Sequence, residues 1–127
     1  SALIRVPPGK NMKTRVEYRP TDGSCNFYLA FAGILASGLD GIRKKMGPPD
    51  PVEENVYEMS DKERTRKSIE TLPGNLGEAL DQLSKDKFLQ DELGHGFYVK
   101  FLQLKTREWN DFNRTVHEWE RKKYLDV

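Results

Sequence analysis

Thr14-Arg15-Val16-Glu17-Tyr18-Arg19, continued by Pro20-Thr21-Asp22-Gly23 and an apolar run from Phe27 to Ala36, decides the fold. The pattern predicts a strand, a turn and a buried helix. Side chains alternate with period two along a strand. Arg15, Glu17 and Arg19 therefore share one face, and Val16 and Tyr18 the other. One face can pack while the opposite face offers a carboxylate between guanidiniums. Guanidinium forks match phosphate oxygens and stay charged at any working pH. A carboxylate is a hard oxygen ligand for Mg²⁺ or Mn²⁺. The same spacing also fits an exposed edge strand whose charges discourage edge pairing.

Upstream, Ala2 to Val6 predicts a second short strand, ended by Pro7-Pro8-Gly9 because proline lacks the N–H that a ladder needs. A loop from Pro8 to Met12 would join the two strands as a hairpin, which is marginal alone in water. Downstream, Ser24 or Asn26 can cap the helix. A helix apolar on nearly every side predicts burial. It runs through Gly38 and Gly41 to Ile42, with Arg43-Lys44-Lys45 at its negative end and Gly47-Pro48-Pro49 as its stop. An acidic loop from Asp50 to Asn55 follows, and Asn55 to Met59 reads as a short pairing or a wandering segment. Ser60-Asp61-Lys62-Glu63 reads as a capping box for a charged helix to about Lys67. After the Leu72-Pro73-Gly74-Asn75 turn, Leu76, Ala79, Leu80 and Leu83 predict a helix from about 76 to 83. Ser84 or Asp86 would cap a brief turn carrying Phe88 and Leu89. Tyr98, Leu102, Trp109, Phe112, Val116 and Trp119 fall on the stripe of one last helix, interrupted by Lys105. The tail from Glu120 reads as charged and projecting. The expected fold class is α+β and mostly helical: residues 1–22 as a strand pair, part of a larger antiparallel sheet, and residues 23–127 as a helical part.

Composition narrows the function classes. The 127 residues suit one modest domain, with 36% hydrophobic and 32% charged residues. A net charge of +1 gives no bulk electrostatic reason for a nucleic-acid or membrane partner. Cys25 is the only cysteine, so neither an internal disulfide nor a cysteine metal cluster can form. This usage fits a reducing cytoplasm. His95 and His117 have no metal-ligand partners at useful spacing and read as structural or solvated.

Ordered motifs carry a family resemblance across essentially the whole chain. Ser1-Ala2-Leu3-Ile4-Arg5-Val6-Pro7, Arg15 to Arg19, Asp22-Gly23-Ser24-Cys25-Asn26-Phe27-Tyr28-Leu29-Ala30 and Ala36-Ser37-Gly38-Leu39-Asp40-Gly41-Ile42 come first. Asn55-Val56-Tyr57, Leu72-Pro73 with Leu76-Gly77-Glu78-Ala79-Leu80, and Glu108-Trp109…Trp119-Glu120…Tyr124 follow. Together they resemble the C-terminal part of the catalytic domain of type I glutamine synthetase. The resemblance implies ATP-dependent joining of ammonia to L-glutamate through γ-glutamyl phosphate. It implies Mg²⁺ or Mn²⁺, ATP as co-substrate, a cytoplasmic location and a dodecamer of two rings. It matches Glu17 to a metal-binding glutamate and Arg15 to an arginine on the nucleotide phosphates. Arg5 matches an arginine of the ATP and phosphoryl region, and Arg19 one that contacts the phosphoryl group and the substrate carboxylate.

The resemblance also makes this chain a fragment, without the family's N-terminal domain, expected to be inactive alone, with Ser1 native or left from a tag. The ending looks more like the feedback-regulated subfamily than the adenylylated one. Tyr57 sits where adenylylated members carry their tyrosine, but Glu58-Met59-Ser60-Asp61 replaces the flank those members have. Thr21, Gly23 and Phe27 stand where the family usually has proline. Those departures leave room for a related γ-glutamyl–amine ligase. A non-catalytic assembly or binding module of the same fold is the other alternative.

Overall fold

A computed structural model describes residues 3–9 and 11–125. The chain divides into two units, one ending at Thr71 and the other beginning at Leu72. The fold is α+β and mainly helical, with a single two-stranded antiparallel sheet among the described residues.

The sheet opens the first unit. β1 (Ile4–Arg5) pairs with β2 (Glu17–Tyr18) in the register Ile4↔Tyr18 and Arg5↔Glu17. The Arg19 N–H donates to the Leu3 carbonyl at 2.9 Å and extends the pairing by one bond. Both strands are shorter than the alternation predicts, and Ala2 lies outside the described residues. The connection holds a 3₁₀ turn at Asn11–Lys13 where a plain loop was expected. Val16 and Tyr18, expected on the face that can pack, are exposed. A two-residue ladder covers no face of its own, and among the described residues no helix packs extensively against it.

α1 (Phe27–Arg43) begins at Asn26, whose side-chain oxygen accepts the N–H groups of Tyr28 and Leu29 at 3.1 and 3.3 Å. Phe27 occupies the first helical position. Proline there would only pre-set the backbone angle, and the asparagine cap defines the same start without it. The helix ends before Gly47-Pro48-Pro49. Lys45 adopts a left-handed conformation (φ 52°), and Met46 N–H reaches back to the Gly41 carbonyl at 2.9 Å. Lys45 N–H meets the Ile42 carbonyl at 3.1 Å, completing a Schellman closure on a non-glycine residue.

The expected burial of α1 does not occur within this chain. No residue of α1 is buried; Tyr28 is 73% and Phe31 66% exposed. Apolar composition specifies that a face should be covered, whereas coverage requires an opposing element. The well-packed element pairs here are β1 with β2, and α3, α4 and α5 with one another.

Asn55 caps a 3₁₀ turn, Val56–Glu58, through its side chain and the Tyr57 N–H at 3.2 Å. The capping box at Ser60 is present: Ser60 N–H donates to Glu63 Oε2 at 2.8 Å, and Glu63 N–H to Ser60 Oγ at 3.4 Å. It starts α2 (Asp61–Arg66), which closes on Ser68 in the same left-handed manner (φ 54°). The acidic loop is anchored by an ion pair between Lys67 and Glu54.

The second unit is a small helical assembly. α3 (Leu76–Lys85) is capped by Asn75, whose side chain accepts the Glu78 N–H at 2.9 Å. Asp86 ends α3 and starts α4 (Lys87–Leu93), accepting the Leu89 N–H at 3.0 Å. The brief turn expected here is therefore a helix. Gly94, with φ 79°, separates α4 from α5 (His95–Arg114); that angle is open to glycine and strained for most residues.

Leu80 on α3 and Tyr98 on α5, 8% and 6% exposed, form the core of this unit. α3 and α5 approach closely at Gly77, where a Cβ would fall 2.7 Å from Trp109 Nε1. Glycine at that position lets the indole lie against the helix backbone.

The long aromatic stripe is not one helix. α5 ends at Arg114 because Thr115 turns extended (ψ 127°) and its hydroxyl bonds the Asp111 carbonyl at 2.8 Å. His117 then starts α6 (Glu118–Tyr124), its N–H donating to Glu120 Oε2 at 2.8 Å. Val116 therefore lies in the break, and Trp119 belongs to a second helix, where it meets the Tyr124 ring edge-on at 6.1 Å. Regular spacing reports which residues are apolar, but the threonine and the Glu120 cap set the helix boundary. The charged tail expected from Glu120 is helical through Tyr124.

Candidate active site

The strand pair gathers its charges on one carboxylate. Arg5 Nη1 donates to Glu17 Oε2 at 3.1 Å across the ladder, and Arg15 Nη2 donates to Glu17 Oε1 at 2.9 Å along the chain. The register explains the first contact, because Arg5 and Glu17 are directly opposed. The second is local: Arg15 lies two residues before Glu17, in the segment that leads into β2. Each carboxylate oxygen thus meets a different guanidinium.

The carboxylate does lie between two guanidiniums, but one of them comes from β1. Arg19, the third cation of the motif, is exposed and tied in through its backbone N–H. The Arg5–Glu17 pairing was not legible in the Arg15-to-Arg19 motif. It follows only once the hairpin register is known.

The arginines hold the Glu17 carboxyl below its ordinary value. The Arg5 hydrogen bond is the main cause; partial desolvation works the other way; the Arg15 bond and both positive charges add to the lowering. A folded value below the unfolded one means that the cluster is fully formed above the usual carboxyl range. It is lost as pH falls through the lowered value. At neutral pH Glu17 is an anion.

The turn after β2 is also ordered by a carboxylate. Asp22 Oδ1 accepts the Ser24 N–H at 2.7 Å and the Ser24 hydroxyl at 2.6 Å, which lowers the Asp22 value. This Asx turn leads the chain from the charged strand to the Asn26 cap.

Glu17 fits one ligand position of a divalent cation. Its side chain is 30% exposed, and each oxygen keeps a lone pair beyond its arginine bond. Among the described residues no three His, Cys, Asp or Glu side chains come together as a metal cluster. Glu17 would supply one carboxylate to such a site.

Both histidines belong to the second unit. His95 opens α5, and His117 lies against the Phe112 ring at 4.5 Å between centroids. Tyr57 is exposed on its 3₁₀ turn. Among the described residues no helix is long and apolar enough to cross a membrane.

Comparison with known proteins agrees with the motif order. Residues 1–124 match the family described as glutamine synthetase, catalytic domain. The chain is 50% identical over 125 residues to the glutamine synthetases of Methanocaldococcus jannaschii and Thermotoga maritima, covering 98% of this chain and 28% of each relative. It thus spans just over a quarter of the curated relatives it matches. Among solved structures, a GmaS–ADP complex superimposes with a TM-score of 0.72 at 36% identity, covering 88% of this chain and 25% of that one. An apo GmaS structure gives 0.68 at 35% identity over the same shares. The chain belongs to the glutamine synthetase catalytic-domain family.

Proposed function

We propose that this chain is part of an ATP-dependent ligase that joins ammonia to L-glutamate through γ-glutamyl phosphate. The observation that carries the reading is the Arg5–Glu17–Arg15 cluster on the strand pair of a chain of this family. Phosphoryl transfer to a carboxylate brings anions together, and catalysis rests on positioning and on neutralising that charge. Arg15 and Arg5 would bind the ATP phosphates, and Arg5 would also face the transferring phosphoryl group. Arg19 would take the phosphoryl group and the glutamate carboxylate. Glu17 would hold Mg²⁺ or Mn²⁺, which when bound neutralises phosphate charge. Under this reading the full-length protein works in the cytoplasm as a dodecamer of two rings. The C-terminal aromatic residues then serve as core or as oligomer contact.

A related γ-glutamyl–amine ligase is the second reading, and the departures at Thr21, Gly23 and Phe27 favour keeping it. One assay separates the two. The full-length protein is given glutamate, MgATP and either ammonia, a polyamine or ethanolamine, and ADP release and product are measured. Glutamine formed with ammonia, one ADP per product, is expected. ADP release driven by another amine, with none from ammonia, selects the second reading. ADP release with none of them overturns both and leaves a non-catalytic module. The isolated 127-residue chain is expected to show no γ-glutamyl transfer.

A further inference from the structure

The geometry points to Glu17 as an internal counter-ion that holds Arg5 and Arg15 until a polyphosphate takes them over, an inference that rests on the ligase reading above. One guanidinium comes from β1 and the other from the segment that leads into β2, and they meet a single carboxylate, one on each oxygen, at 3.1 and 2.9 Å. Without that carboxylate, two cations would stand close together with no counter-charge between them. Their side chains are about half exposed (51% and 57%), so an incoming anion can reach them. Each guanidinium presents five N–H groups and uses one in the bond to Glu17 that the structure records, so a phosphate oxygen can begin to bind before Glu17 lets go.

Glu17 and a polyphosphate therefore compete for the same donors. A divalent cation arriving with the phosphate would relieve that competition, because it offers the Glu17 carboxylate an alternative partner. Glu17 is a positioning residue for the arginines in the unliganded protein. The arrangement penalises polyphosphate that arrives without its metal.

The competition has a sign that a purely structural or purely metal-binding role does not produce. Removing the carboxylate charge should tighten metal-free polyphosphate binding. The test uses the full-length protein in EDTA with inorganic tripolyphosphate as the titrant, read by calorimetry. Glu17→Gln is expected to bind roughly 3- to 10-fold tighter than the natural protein, the range that release of two exposed ion pairs allows. Glu53→Gln, which removes one exposed loop carboxylate of the same unit, is expected to stay within about twofold. Adding Arg15→Gln to Glu17→Gln should abolish the gain. Should Glu17→Gln lose its fold by thermal melting, Glu17→Asp supplies the test. Its carboxylate sits one methylene closer to the backbone, which loosens its hold on the two guanidiniums, and binding about twofold tighter is expected.

Equal or weaker binding by these Glu17 variants, or an equal gain in Glu53→Gln, overturns the inference. A protein that ligates ammonia with MgATP but shows no gain refutes this inference alone. A protein without ligation refutes the reading on which it rests.

Discussion

Arg19→Gln in the full-length protein is expected to slow glutamine formation by about 100- to 1000-fold, the cost of losing one preorganised donor to developing charge. The effect should fall on catalysis and leave folding alone. The bonds recorded for Glu17 come from Arg5 and Arg15, and the ladder bond of Arg19 uses its backbone N–H, which glutamine retains. Its exposed side chain supports no core. The measurements are kcat for ATP-dependent glutamine formation and the thermal midpoint. An unchanged midpoint with a loss of this size is expected. A loss below about tenfold would remove Arg19 from the reacting centre.

Leu80→Ala is expected to destabilise the helical unit by about 2–3 kcal/mol, near the lower end for a buried leucine because this core is small. Leu80 and Tyr98 are its buried apolar residues. The close approach of Gly77 to Trp109 leaves α3 little freedom to collapse into the space. Hydrogen exchange at the amides of α3 and α5 reads the change directly. Protection should fall together in both helices. A loss confined to α3 would mean that the two helices are not one cooperative unit.

How much of this was legible in the sequence differs by element. Local signals with a short-range cause were readable. Asn26 and Ser60 are side chains that satisfy orphan N–H groups a few residues away, and both start helices as their chemistry predicts. The spacing of Arg15 and Glu17 predicts that they lie together, and the 2.9 Å contact joins them.

Signals that depend on a second element were not. The apolar run from Phe27 to Ala36 predicts burial, yet burial is a property of a pair of faces, and among the described residues no element packs extensively on this helix. The Arg5–Glu17 bond needs the strand register, which no motif within either strand states. The stripe from Tyr98 to Trp119 kept helical spacing across a break made by Thr115 and the Glu120 cap, so periodicity alone joined two helices into one. The stop of α1 fell on Lys45, a residue with no special preference for a left-handed conformation, while the Gly-Pro-Pro signal lay two residues further on.

The ligase reading depends on what Glu17 and its two arginines do when substrate arrives. The most direct measurement is a crystal structure of the full-length protein with Mg²⁺ and a non-hydrolysable ATP analogue. A Glu17 oxygen at about 2.1 Å from the cation, with Arg15 turned to a nucleotide phosphate, is the predicted result. A bound nucleotide whose cation is held elsewhere, with Arg5 and Arg15 still on Glu17, would contradict it.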